Sequence, residues 1–122
     1  MNMMIKSAMG FGLASLMVVG TAQAHPRVVS STPAPNSSVP KPSRLTIRFS
    51  ERLIGPLTGA TLMTVRAGHT INVPTTSAID ASGKMLIVKT PRPLVAGRYQ
   101  LNWHAVSVDT HRVQGSLAFR AT

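Results

Sequence analysis

The chain has no cysteine, and only three of its 122 residues are acidic. Without thiols there is no disulfide and no thiolate metal site, so packing and hydrogen bonding must hold the domain together. Aromatic residues are also scarce, with one Trp, one Tyr and three Phe. A stacking platform for single-stranded nucleic acid is therefore missing. Beyond the first two dozen residues no apolar helical periodicity appears, and no segment repeats another. That leaves an all-β chain. Against the three acids stand 13 Lys and Arg, a formal net charge of +10. They are scattered rather than clustered, which describes a solvated basic surface that attracts anions in general. A nucleic-acid partner is not expected.

What is present begins with an export leader. Lys6 supplies a positive start, Ala8 to Gly20 is uncharged and largely apolar, and Ala22-Gln23-Ala24 fits the small-x-small cleavage rule. The apolar run falls short of the ~20 residues that span a bilayer. The expected division is therefore a cleaved signal peptide, 1–24, and one soluble domain, 25–122, with no transmembrane segment remaining. Cleavage after Ala24 makes His25 the first residue of the mature protein.

Thr32 to Ser43 carries four prolines and reads as a loop behind a short first strand, Arg27 to Ser31. Leu45, Ile47 and Phe49 alternate with Thr46, Arg48 and Ser50, the period of a half-buried strand. Ile54 to Gly59 is a turn region. Ala60 to Arg66 and Ile71 to Pro74 form a hairpin through Ala67-Gly68-His69. Met85 to Lys89 follows, then the best strand, Tyr99 to Val106, and Val113 to Arg120 closes the domain. Seven strands separated by regular turn signals predict an antiparallel Greek-key β-sandwich, with an open barrel as the alternative. Trp103, in mid-strand, is expected to plug the core.

The residues with chemistry lie at the two ends. An N-terminal histidine offers its α-amine and its imidazole Nδ1 to one ion, closing a six-membered chelate ring. The amine's pKa of ~7.7–8.0 lets a strong Lewis acid displace its proton at neutral pH. Pro26 has no amide N–H to deprotonate, so further ligands must come from elsewhere in the fold. Asp109 and His111, two apart, project the same way on an extended backbone, and on a turn at the end of the Tyr99–Val106 strand they can face the start of the first strand. An amine, two imidazoles and a carboxylate suit the tetragonal preference of copper(II). Each residue also has a plainer role. His111 alone reads as a turn histidine, Asp109 as a turn cap and His25 as a frayed end. Glu51 reads equally as a salt-bridge partner of Arg48 or Arg52 and as a carboxylate near the metal. His104 lies on the strand face opposite Trp103 and is not expected to be a ligand. His69 is expected in solvent.

The His25 terminus, Ser30-Ser31-Thr32-Pro33-Ala34 with Asn36, Leu45 to Glu51, and Trp103-x-x-Val106-Ser107-x-Asp109-x-His111 with Gly115-Ser116 closely resemble the CopC family of bacterial periplasmic copper-resistance proteins. The resemblance covers essentially all of residues 25–122. It implies a seven-stranded Greek-key sandwich or barrel, immunoglobulin- or cupredoxin-like. It implies a copper(II) site made of His25, Asp109 and His111, with Glu51 at the position of an acidic residue near that site. It also implies an inner-membrane copper transporter of the CopD type as partner. Two features depart from the family. Relatives commonly carry alanine where this chain has Pro26. Some carry a methionine-rich copper(I) stretch, whereas only Met63 and Met85 lie beyond the leader here. The chain therefore reads as a copper(II)-only member.

The expected function is that of a periplasmic carrier or buffer of copper ion, not an enzyme. Its rivals are an oxygenase built on the same histidine terminus and an adhesion domain with incidental histidines. Mass spectrometry of the exported protein should find His25 at its N-terminus. A mature chain starting anywhere else removes the amine ligand.

Overall fold

The alternation of Leu45, Ile47 and Phe49 is realised as strand β3, Arg44–Phe49, with those three side chains buried and Arg44 and Arg48 in solvent. This computed structural model describes residues 25–122, so the proposed leader, 1–24, lies outside the described residues. The other strands are β1 Val28–Thr32, β2 Ser38–Val39, β4 Gly59–Arg66, β5 His69–Val73, β6 Thr76–Ile79, β7 Met85–Lys89, β8 Gly97–Val106 and β9 Arg112–Ala121. They form two sheets, one ordered β1-β3-β7-β6 and the other β2-β9-β8-β4-β5. Between β3 and β4 the only helical element is a single 3-10 turn, Gly55–Leu57. No helix among the described residues is long and apolar enough to cross a membrane.

The all-β sandwich is as expected, with two strands beyond the expected seven. One is β2, two residues inside the proline-rich stretch that pair in parallel with Arg120 and Ala121 of β9. The other is β6, which pairs antiparallel with β7. The hairpin between β4 and β5 is also tighter than expected. Arg66 pairs with His69, so the loop is Ala67-Gly68 alone, with φ of 48° and 76°. Two positive φ angles are what a two-residue hairpin turn demands. His69 is thus an exposed strand residue.

The sheets bury one continuous apolar layer. β3 and β7 contribute Leu45, Ile47, Phe49, Leu86 and Val88, and the facing sheet contributes Leu62, Tyr99, Leu101, Ala105, Leu117, Phe119 and Ala121. Each such Leu or Ile contributes about 1.5–3 kcal/mol relative to exposure. Tyr99 stacks on Phe119 at 5.6 Å, and its hydroxyl donates to the Val95 carbonyl at 2.8 Å. Trp103 meets Phe49 edge-on, with ring centroids 5.1 Å apart. The indole lies over Gly115, its cross-strand partner. A Cβ at Gly115 would sit 2.5 Å from Trp103 Cζ2, so the glycine is needed for this close approach. β5 is an edge of the larger sheet, five residues long with all but Val73 exposed, and Pro74 follows it.

Gly115→Ala should therefore destabilise the domain by about 1–3 kcal/mol through overpacking, measured by urea denaturation. Adding Trp103→Phe should restore part of that loss by vacating the clashing ring.

Candidate metal centre

β8 and β9 are joined by a turn, Val108 to Thr110. The Thr110 N–H donates to the Ser107 carbonyl at 2.8 Å, and the Ser107 N–H to the His111 carbonyl at 3.0 Å. Thr110 has a φ of 72°, left-handed and uncommon for a β-branched residue. The turn is also tied to the segment that leaves β3. Val108 N–H donates to Arg52 O at 3.0 Å, Ile54 N–H donates to Val106 O at 2.8 Å, and Leu53 bridges Ser107. Asp109 and His111 thus sit on a turn at the end of β8, where the sequence placed them. They flank a left-handed residue, and the turn itself brings their side chains together.

Ser107 is buried at 1% exposure, and its hydroxyl donates to Asp109 Oδ1. The other carboxylate oxygen, Oδ2, lies 3.1 Å from His111 Nδ1. The ring N–H direction does not align with that oxygen. Nδ1 is left shielded from water without a hydrogen-bond partner, and such an atom is normally satisfied. The Ser107 hydrogen bond, followed by the His111 contact, holds the Asp109 carboxyl below its ordinary pKa, against a smaller desolvation effect.

The N-terminal segment arrives at the same place. Arg27 N–H donates to the Ser50 hydroxyl and Ser50 N–H donates to the Arg27 carbonyl, each at 2.9 Å. Pro26 is buried. These contacts set the His25 ring 4.7 Å from the His111 ring, at 76° between planes. Two pairs are thus in contact, His25 with His111 and His111 with Asp109. No group of three or more His, Cys, Asp or Glu among the described residues is assembled closely enough to hold a metal as it stands. The donor types nonetheless fit copper(II), and His111 Nδ1 is a donor without a partner.

Glu51 follows Ser50 and is half-buried. It makes no salt bridge with Arg48 or Arg52; the ion pair within 4.0 Å among the described residues is His111–Asp109. Arg52 instead lies over the turn at Gly83. His104 is half-buried on the face opposite Trp103, with its ring beside Gly59.

Residues 28–122 match the CopC domain. The chain belongs to the CopC family. It is 39% identical over 111 residues to copper resistance protein C of Pseudomonas syringae pv. tomato, covering 88% of each chain. It is 40% identical over 111 residues to the Xanthomonas campestris pv. juglandis protein of that name, covering 88% of this chain and 87% of that one. Among solved structures, PcoC, a methionine-rich copper resistance protein from Escherichia coli, superposes with a TM-score of 0.75 at 34% identity. The match covers 81% of this chain and 100% of that one.

Two contributors to the candidate site had no assigned role in the sequence. Ser107 fixes the carboxylate, and Ser50 fixes the terminus. The Ser-x-Asp spacing is the one local signal for the first. Nothing local marks the second, because its partner is 23 residues away.

Ser107→Ala should raise the Asp109 pKa toward its ordinary value, read by 13C NMR titration of the carboxyl. In the unsubstituted protein the folded pKa lies below the unfolded one. This interaction therefore stabilises the fold above the unfolded value and is lost as pH falls through the folded one. Ser107→Ala should lose that acid-side dependence.

Proposed function

We propose that the exported, processed protein binds copper(II) in the periplasm and acts as a carrier or buffer in copper resistance or homeostasis. The packing of the His25 ring against His111, beside the Asp109 turn, carries this reading. His25 would supply the amine freed by cleavage together with its imidazole, and Asp109 and His111 would complete the set. Relatives named copper resistance protein C support the choice of metal.

The donors favour the divalent ion. Copper(I) selects thioethers, and the two methionines in the domain, Met63 in β4 and Met85 in β7, belong to different sheets. Reduction would therefore weaken the hold and aid release. Asp109, whose carboxyl pKa the Ser107 hydrogen bond lowers, presents charge to the incoming cation without first losing a proton. The amine and the imidazoles must shed theirs, so affinity rises with pH. Glu51, free of any arginine and one residue from the Ser50 clamp, would add negative charge near the site. The receiving partner we assign is an inner-membrane copper transporter of the CopD type. Asp109 as a ligand would fill a position that an oxygenase must keep open, and so we read the site as a carrier's rather than an enzyme's.

Titration of the processed protein with copper(II) should give one tight site with a tetragonal electron paramagnetic resonance spectrum. One extra residue ahead of His25 should weaken binding by at least about 100-fold, since even groups that only support a ligand are worth 10–100-fold. Equal binding by both forms would remove His25 from the site.

A further inference from the structure

We propose that Arg98 and Arg120 form an oxyanion site on the outer face of the larger sheet, one that takes phosphate-type groups and is separate from the copper turn. The two arginines are direct cross-strand partners on β8 and β9. Partners of this kind share a face with Cβ atoms about 4.5–5.5 Å apart, where like charges destabilise one another. Both are exposed, and neither has a carboxylate within 4.0 Å among the described residues. The fold thus holds two arginines at opposed strand positions without a carboxylate to compensate them.

They border a concavity of about 160 Å³ that Asn36 and Ser38 also line. A water occupies about 30 Å³, so a small oxyanion fits. The far wall is fixed by backbone. Asn36 N–H donates to Ala118 O at 2.7 Å, Arg120 N–H donates to Ser37 O at 2.8 Å, and β2 runs parallel to β9. Asn36 is held there at a φ of 61°. An amide- and a hydroxyl-bearing residue therefore line one concavity with two arginines, whose planar guanidinium forks can bind tetrahedral oxyanions in bidentate fashion. Arg98 lies roughly 27 Å by strand rise from Val106, where β8 enters the metal turn, so the sites are at opposite ends of β8.

Arg44 and Lys89, also directly opposed but in the smaller sheet, do not line this concavity and provide a charge-matched control. Thermal unfolding in inorganic phosphate, against chloride at equal ionic strength, separates a site from bulk charge. Phosphate should raise the Tm of the protein and of Arg44→Gln/Lys89→Gln by roughly 5 °C. It should not raise that of Arg98→Gln/Arg120→Gln. An equal response in all three proteins, or equal loss in both double variants, overturns the proposal.

Phosphatidylcholine vesicles with and without phosphatidylglycerol distinguish the source of the anion. Retention on the anionic vesicles that depends on Arg98 and Arg120 assigns a lipid headgroup. A phosphate response without retention assigns the free ion, and neither response overturns the site. Amide NMR shifts on adding phosphate to the unsubstituted protein should concentrate at Asn36, Ser38, Arg98 and Arg120. Shifts spread over the whole basic surface would refute it.

Discussion

The site depends on one backbone arrangement, the fastening of three chain segments at one end of the sandwich. The segment after β3 receives the β8–β9 turn through Arg52, Leu53 and Ile54, and Ser50 receives the N-terminal segment through Arg27. These bonds lie between residues far apart in sequence, so forming them requires the sheets to be in register first. Side chains from Arg27's neighbour but one and from His111 then meet without any local motif to bring them together. The core above this end, Phe49 against Trp103, fixes the distance between the two sheets and hence the spacing of the segments they carry.

Charge is distributed unevenly in a way that follows from having so few acids. Asp80 is held in its turn by a hydrogen bond from Ser82, which lowers its pKa. Asp109 is held by Ser107, and Glu51 stands beside the Ser50 clamp. Two of the three acids thus sit at the end that carries the candidate site, leaving the arginines and lysines elsewhere largely without partners. A cation approaching this basic domain meets a repulsive field everywhere except near those carboxylates. The same imbalance leaves opposed cations such as Arg98 and Arg120 available to anions.

The strands with strong alternation, β3 and β8, were legible because burial on one face imposes a period of two on the sequence. The residues of the candidate site were legible as types, since an N-terminal histidine and an Asp-x-His pair have few other chemical uses in common. Asp109-Thr110-His111 was also legible as a turn after the long strand, though its backbone geometry was not. Thr110 is a poor left-handed residue, so nothing in the sequence foretold the positive φ with which it closes that turn. β2 escaped because two residues between prolines carry no period, and backbone pairing with β9 alone makes them a strand. β6 escaped for a related reason: it is an edge strand with three of its four residues exposed, so burial left almost no pattern on it. Ala67-Gly68 was read as part of a longer loop because alanine rarely adopts a positive φ.

The exposed margin formed by β5 has consequences for the protein in concentrated surroundings. An open strand offers unpaired amides and carbonyls to any similar strand it meets, the route by which β-proteins polymerise. Here that margin is only five residues long, ends at Pro74 and has Arg66 at its turn. A neighbouring copy can add few hydrogen bonds before proline interrupts the ladder, and the cations of both copies oppose the approach. Among the described residues a short strand and a proline thus limit pairing at this edge, with no helix covering it.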